Sequence, residues 1–169
     1  MEIVNEYLIN QRTIAIQPHL HPQYQTKIID MEGIYYTSER PAEILARSCV
    51  KYGATFDGRR DVAMKLTNFI QKTPLLVAEV YKIIALPTHS PEHKDCAWIM
   101  FHQIMEVIHT KQSICRLKFH NHTEIEFPVS SQTIRQQIQK AAVIYSIFCT
   151  ELKISYSFII TDGKKRTVR

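Results

Sequence analysis

The sequence predicts an α+β fold in a single domain, with antiparallel β-hairpins, two short basic helices in the N-terminal half and one long amphipathic helix near the C-terminus. Three observations carry that expectation. Short apolar runs come in pairs separated by polar or glycine-bearing joints. From residue 38 the apolar positions switch to helical spacing. Beyond Ser130-Ser131, Ile134, Ile138, Ala141, Tyr145, Phe148 and Leu152 alternate steps of four and three, one side of a helix over residues 131–152. A chain of 169 residues that is 45% hydrophobic has the apolar material for one core. The domain is expected to span 1–152, with 153–169 a basic tail.

In chain order, "EYLINQRTIAI" (6–16) reads as a hairpin around Asn10-Gln11-Arg12, and "KIIDMEGIYYT" (27–37) as another around Glu32-Gly33. The proline- and histidine-bearing stretch 17–22 is the loop between them. In "SERPAEILARSCVKYG" Ser38 is placed to cap a helix, Pro41 suits an early helical position, and Gly53 ends it. Arg47 and Lys51 are four residues apart and share a side of that helix. Asp57-Gly58 reads as a turn, and 59–66 as a second helix with Arg59 and Arg60 in its first turn, against the macrodipole. "PLLVAEVYKIIALP" is a further hairpin, and "CAWIMFHQIMEVI" (96–108) begins more strands. A three-residue loop Asn121-His122-Thr123 sets Phe119 opposite Ile125, Leu117 opposite Phe127, His120 opposite Glu124 and Lys118 opposite Glu126. The final helix packs on the sheet or meets a second copy of the chain.

The chemistry of an enzyme is not written here. There is no Walker loop, GxGxxG, GxSxG or HExxH, and four glycines leave little for a phosphate cradle. The four cysteines, Cys49, Cys96, Cys115 and Cys149, form no CxxC pair and read as reduced, mostly buried thiols. His89, His93 and Cys96 make an HxxxHxxC, without the second spaced pair that would complete a zinc site; exposed loop histidines and a buried cysteine are the reading preferred. No metal or cofactor is expected. The start "MEIVNEYLIN" lacks the basic start and apolar run of a secretory signal, and the longest apolar stretch, within 141–149, is short and interrupted, so a cytoplasmic protein is expected.

Charge is the informative feature. Residues 40–72 carry seven Lys/Arg against three Asp/Glu, and "KKRTVR" (164–169) adds another +4, so the remainder of this +5 chain is net −3. A compact basic segment on a slightly acidic body reads as a docking face for a polyanion. Arg47, Lys51, Arg59, Arg60, Lys65 and Lys72 are the candidate residues of that face; if the polyanion is DNA, Arg59 and Arg60 are the ones for groove insertion and the others for phosphates.

"RSCVKYGATFDGRR", then "TPLLV", then "ALPTHSPEHKDCAWI" and the hairpin end "EFPVS" together resemble the competence transcription factor family (ComK) of Gram-positive bacteria. The resemblance runs from about residue 7 to about 150. Its most specific parts are Arg47-Ser48-Cys49, Gly53, Gly58-Arg59, Pro74, Leu86-Pro87-Thr88, Cys96 with Trp98-Ile99, and Pro128. It implies an activator of the genes for DNA uptake, located with the nucleoid, that binds paired AT-rich boxes of double-stranded DNA through the minor groove as a homodimer assembling to a tetramer. It also implies a proteolytic adaptor that delivers the activator to a Clp protease. Cys49 and Trp98 match the family pattern and read as core residues. The sequence departs from the family in two places. His122 stands at a hairpin tip where relatives carry glycine. After Leu152 the chain runs "KISYSFIITDGKKRTVR" and lacks the family's adaptor-binding stretch, with Phe158-Ile159-Ile160 the nearest apolar trio. DNA binding is expected to survive that departure, with activation and adaptor recognition weakened. The alternative is a non-activating remnant, or a protein-interaction module whose basic face meets an acidic partner.

Overall fold

The computed structural model of the chain describes residues 1–149; Leu152, the 153–169 tail and its Phe158-Ile159-Ile160 trio lie outside the described residues. The fold is α+β. Strands β1 (Glu2–Ile3), β2 (Thr13–Pro18), β3 (Thr26–Asp30), β4 (Gly33–Thr37), β5 (Leu75–Ala78), β6 (Ile83–Pro87) and β7 (Trp98–Met100) form one sheet in the order β1-β4-β3-β2-β7-β6-β5. All neighbours in it are antiparallel except β1 and β4. A 3-10 turn at Phe101–Gln103 leads into a second sheet of β8 (Ile104–Lys111), β9 (Ile114–Phe119) and β10 (Glu124–Phe127). The helices are α1 (Pro41–Lys51), α2 (Phe56–Thr67) and α3 (Ser131–Phe148).

The large sheet is covered on both faces. Along β6, Ile83 and Ala85 face a core shared with Ile44, Leu45 and Cys49 of α1, while Ile84 and Leu86 face one shared with Ile134, Ala141 and Ile144 of α3 and Leu117, Phe119 and Phe127 of the small sheet. Every position of β5, β6 and β7 is therefore buried, which is why those segments read as unbroken apolar runs. The small sheet is covered on one face only, and β9 alternates accordingly, with Cys115, Leu117 and Phe119 inward.

Several expectations are corrected. Residues 6–12 are not a strand, and β2 pairs with β3 across the 19–25 loop. The groups of that segment bond to α1 and its approach instead. Ile9 N–H donates to Ser48 Oγ at 3.0 Å, Tyr52 O–H donates to the Ile9 carbonyl at 2.8 Å, and Tyr7 N–H donates to Glu39 Oε2 at 3.3 Å. Ser38 is not the cap of α1; Arg40 is, and the Glu43 carboxylate reaches back to its N–H at 2.8 Å. Asp57-Gly58 is not a turn but the first turn of α2, because Thr55 Oγ1 accepts from Gly58 N–H at 3.0 Å and starts the helix there. Arg59 and Arg60 consequently sit one turn further in, where the dipole is already weak, with Asp57 in the first turn and Lys65 in the last.

The β9–β10 loop has the expected length but starts one residue earlier, at His120, with Phe119 N–H bonded to the Thr123 carbonyl. Ile125 then lies opposite Leu117 and Phe127 opposite Cys115, a two-residue shift that leaves each side chain on its expected face. His122 takes the left-handed position of that turn, φ 66°, the conformation in which glycine is at no disadvantage. The expected 27–37 and 74–87 hairpins, the Pro41 position, the chain end of α1 at Gly53 (φ 91°) and the packing of α3 on the sheet agree with the structure, but α3 ends at Phe148, short of the expected 152, where Cys149 caps it by donating its N–H to the Tyr145 carbonyl.

Candidate nucleic-acid interface

The six basic residues named from the sequence fall into three environments. Arg47 faces inward from α1: its guanidinium forms a two-pronged pair with the Glu39 carboxylate, one prong at 2.8 Å, and donates to the Tyr7 carbonyl at 2.9 Å. Only 33% of its side chain and 15% of that of Glu39 meet solvent. This pair ties α1 to the N-terminal segment. Tyr7 is itself anchored, donating to Asp30 Oδ2 at 2.6 Å on β3, and burial with the neighbouring carboxylate pushes its phenol far above the ordinary range. Arg47 is thus engaged within the fold, although the sequence places it beside Lys51 on one helix side.

Arg59 and Arg60 lie on α2, which packs beside the edge strand β5 and buries only Ala63. Their ion pairs are long: Arg59 Nη1 is 3.7 Å from Glu79 Oε2, and Arg60 Nη1 is 3.7 Å from Glu92 Oε1. Arg59 is the more enclosed, with 18% of its side chain exposed and its Nε buried without a hydrogen-bond partner among the described residues. It borders a cleft of about 330 Å³ formed with Thr55, Gly58, Val62, Leu76 and Phe148. Its charge also reaches Cys49, whose thiol burial pushes up to about 11 and so keeps protonated.

Lys51 and Lys65, at the ends of α1 and α2, are exposed. Lys72, in the loop between α2 and β5, is half-buried at φ 48°. Sequence spacing missed Lys140, whose Nζ donates to the Gln71 carbonyl of that loop at 2.7 Å, and missed the counter-charges Glu79 and Glu92. No local pattern could have found them: Gln71 and Lys140 are 69 residues apart.

The other chemistry-bearing residues resolve into packing. Cys49, Cys96, Cys115 and Cys149 are all buried free thiols, and Trp98 is a core residue against Phe56. His89 and His93 stack at 4.7 Å between centroids, and Cys96 Sγ donates to the His89 carbonyl at 3.3 Å. Among the described residues no three His, Cys, Asp or Glu side chains converge on a metal position, and no helix is long and apolar enough to cross a membrane.

Fold and basic surface together define a small α+β domain with a partly neutralised cationic helix. The chain belongs to the ComK protein family, whose model matches residues 4–153. It is similar to the competence transcription factor of Bacillus subtilis (strain 168), with 27% identity over 146 residues that cover 86% of this chain and 76% of the relative. No solved structure matches the chain.

Proposed function

We propose that this chain is a DNA-binding transcriptional activator of competence genes that engages AT-rich boxes in duplex DNA through the minor groove. The observation that carries the reading is α2, a helix that buries a single residue and holds Arg59, Arg60 and Lys65 outside the core. Membership of the ComK family and the name of the Bacillus subtilis relative favour a regulator over an enzyme.

The narrow minor groove of A-tract DNA carries a strong negative potential, so a guanidinium inserted there gains energy without reading base edges. Arg60 is the better placed of the two arginines, being 33% exposed, and Arg59 supports it from the cleft. Exposed ion pairs contribute only about 0–1 kcal/mol, so releasing Arg60 from Glu92 costs little. Lys51, Lys65 and Lys72 supply phosphate contacts. Arg47 positions α1 and stays out of the contact set, because Glu39 and Tyr7 occupy its donors. On paired boxes the protein acts as a homodimer that assembles to a tetramer, a partner that family likeness alone supports, whereas recognition by a Clp-protease adaptor is weakened by the departure after Leu152.

A gel shift of AT-box DNA against GC-rich DNA of equal length, across a salt series, tests the reading. Preferred binding to the AT duplex is expected, with affinity falling by orders of magnitude from low to moderate salt for roughly six neutralised phosphates. Equal binding to both duplexes overturns the minor-groove mode. Absence of binding at low salt points instead to a module for an acidic protein partner.

A further inference from the structure

Leu20 is fully exposed, at 105% relative accessibility, more than any other large hydrophobic side chain among the described residues. It stands at the tip of the β2–β3 connection, where the His21 N–H donates to the His19 carbonyl at 3.0 Å and closes a three-residue turn with Leu20 at its centre. The backbone around that tip is held firmly. The His19 N–H donates to the Gln25 carbonyl at 2.8 Å, and the Gln25 N–H donates to the Thr37 carbonyl of β4 at 2.9 Å. On the far side of the turn His21 Nδ1 accepts from the Gln23 and Tyr24 N–H groups at 3.2 and 3.3 Å. The rings lock the same segment: His19 lies 4.9 Å from Tyr36 of β4 between centroids, and His21 stacks on His19 at 5.8 Å and on Tyr24 at 5.0 Å. An ordered turn thus presents a leucine to water, where it adds nothing to the core.

The surroundings of the tip are cationic. His19, Leu20, Arg40, His93 and Lys94 border one open cleft of about 510 Å³, and Asp95, the carboxylate in its lining, lies 3.9 Å from His93. Arg40 is paired with Glu43 at 3.0 Å, but both side chains are largely in solvent, so the pair is readily exchanged for another anion. The β6–β7 loop that supplies His93 and Lys94 also supplies Glu92, 3.7 Å from Arg60, so a single loop joins this cleft to the surface of α2. An apolar tip among cations, next to the arginine assigned to the minor groove, fits a duplex whose phosphates meet the charges and whose base stack receives the leucine.

We infer that Leu20 is a wedge that enters between two base pairs of AT-rich duplex DNA from the minor groove and kinks it, with Arg40 and Lys94 on the flanking phosphates. The inference rests on the DNA-binding reading above. Minor-groove proteins gain contact area by partly unstacking a step with an inserted apolar side chain, and TA steps unstack most readily. Preference for AT boxes then has a second source beside groove width, and it requires no contact with base edges.

The test uses the full chain and AT-box duplexes in which a fluorescent adenine analogue, dim when stacked and bright when unstacked, replaces one adenine of each TA step in turn. The parent is expected to brighten the analogue at one step. Leu20→Ala should abolish that signal and weaken binding to the AT duplex by about tenfold, the loss that follows from leaving the leucine side chain unburied. Its slope of log affinity against log salt should equal the parent's, because no charge is removed. Leu20→Met, which keeps an apolar wedge, should retain the signal, and melting temperatures should match throughout, since Leu20 lies outside the core. Lys94→Gln should lower the salt slope by about 0.9 on AT-rich and GC-rich duplexes alike. If the parent binds the AT duplex but brightens no step, or if Leu20→Ala matches it in signal and affinity, the inference is overturned while the DNA-binding reading stands. An unchanged salt slope in Lys94→Gln overturns the phosphate contact assigned to that lysine. A parent that binds neither duplex at low salt overturns the reading and the inference together.

Discussion

α1 and α2 are consecutive helices of 11 and 12 residues, each carrying arginine and lysine, and the fold uses them in opposite ways. α1 buries Ile44, Leu45, Ser48 and Cys49 beneath the large sheet, and Arg47 is held by Glu39 and the Tyr7 carbonyl. α2 buries Ala63 alone and keeps its arginines in ion pairs of 3.7 Å. The number of basic residues on a helix is a poor guide to what those residues can meet; the strength of their internal pairing is a better one. β9 makes the same point, since Arg116 reaches both Glu126, at 2.7 Å, and Glu124, at 3.7 Å, so its charge is answered within the fold.

The comparison is sharpened most by truncating one apolar residue on each helix. Ile44→Ala opens a cavity in a fully buried position and should lower stability by about 2–5 kcal/mol. Val62→Ala, at a site that is 46% exposed, should change it by less than about 0.5 kcal/mol. Chemical denaturation of both variants measures the difference, and a similar loss from each would mean that α2 is as much a core element as α1.

The arginines give the next contrast. Arg47→Ala leaves the Glu39 carboxylate and the Tyr7 carbonyl without their donor, and should cost about 2–3 kcal/mol, less than a fully buried pair because a third of the side chain meets water. Its DNA affinity below the unfolding transition should match the parent's. Arg60→Ala should leave the free energy of unfolding within about 0.5 kcal/mol of the parent's and weaken binding to AT boxes more than to random duplex. A reversed outcome, with Arg60→Ala unfolding the protein and Arg47→Ala only weakening binding, would invert the roles assigned to the two helices.

The smallest effect expected is on the pH dependence of stability. Burial holds His89 and His102 below the ordinary value of 6.5, so as pH falls through 6.5 the unfolded chain binds protons before the folded one does. Stability should therefore be complete above that value and decline gradually below it. Melting temperatures between pH 8 and pH 5.5 would show the decline, and His89→Gln with His102→Gln should flatten it. Because neither histidine touches the Arg47 pair, Arg47→Ala should shift the whole curve down without changing its shape in this window.

Much of this molecule is legible one segment at a time. Helical spacing, Pro41 and Gly53 locate α1, the alternating steps locate α3, and Glu32-Gly33 between apolar runs marks the β3–β4 hairpin to within one residue of its turn, because each signal acts within a few residues. The family resemblance read from "RSCVKYGATFDGRR" and the motifs after it also comes from the residues alone, and it agrees with the ComK match. The start of α2 is not legible locally, because the Asp57-Gly58 pair has turn chemistry whereas the Thr55 hydroxyl makes it the first turn of a helix.

By itself the sequence determined the α+β class, the buried cysteines, the family and the stretch in which positive charge is concentrated, since these follow from residue type and spacing along the chain. Tertiary structure alone decided that residues 6–10 bind α1 instead of forming a strand, that the large sheet is covered on both faces, that Glu39 takes Arg47 while Glu79 and Glu92 hold Arg59 and Arg60 loosely, and that Lys140 bonds to the Gln71 carbonyl. Each of those outcomes is a contact between groups distant in the chain, such as Tyr7 with Glu39 or Gln71 with Lys140, and no local periodicity encodes which distant partner a side chain will meet.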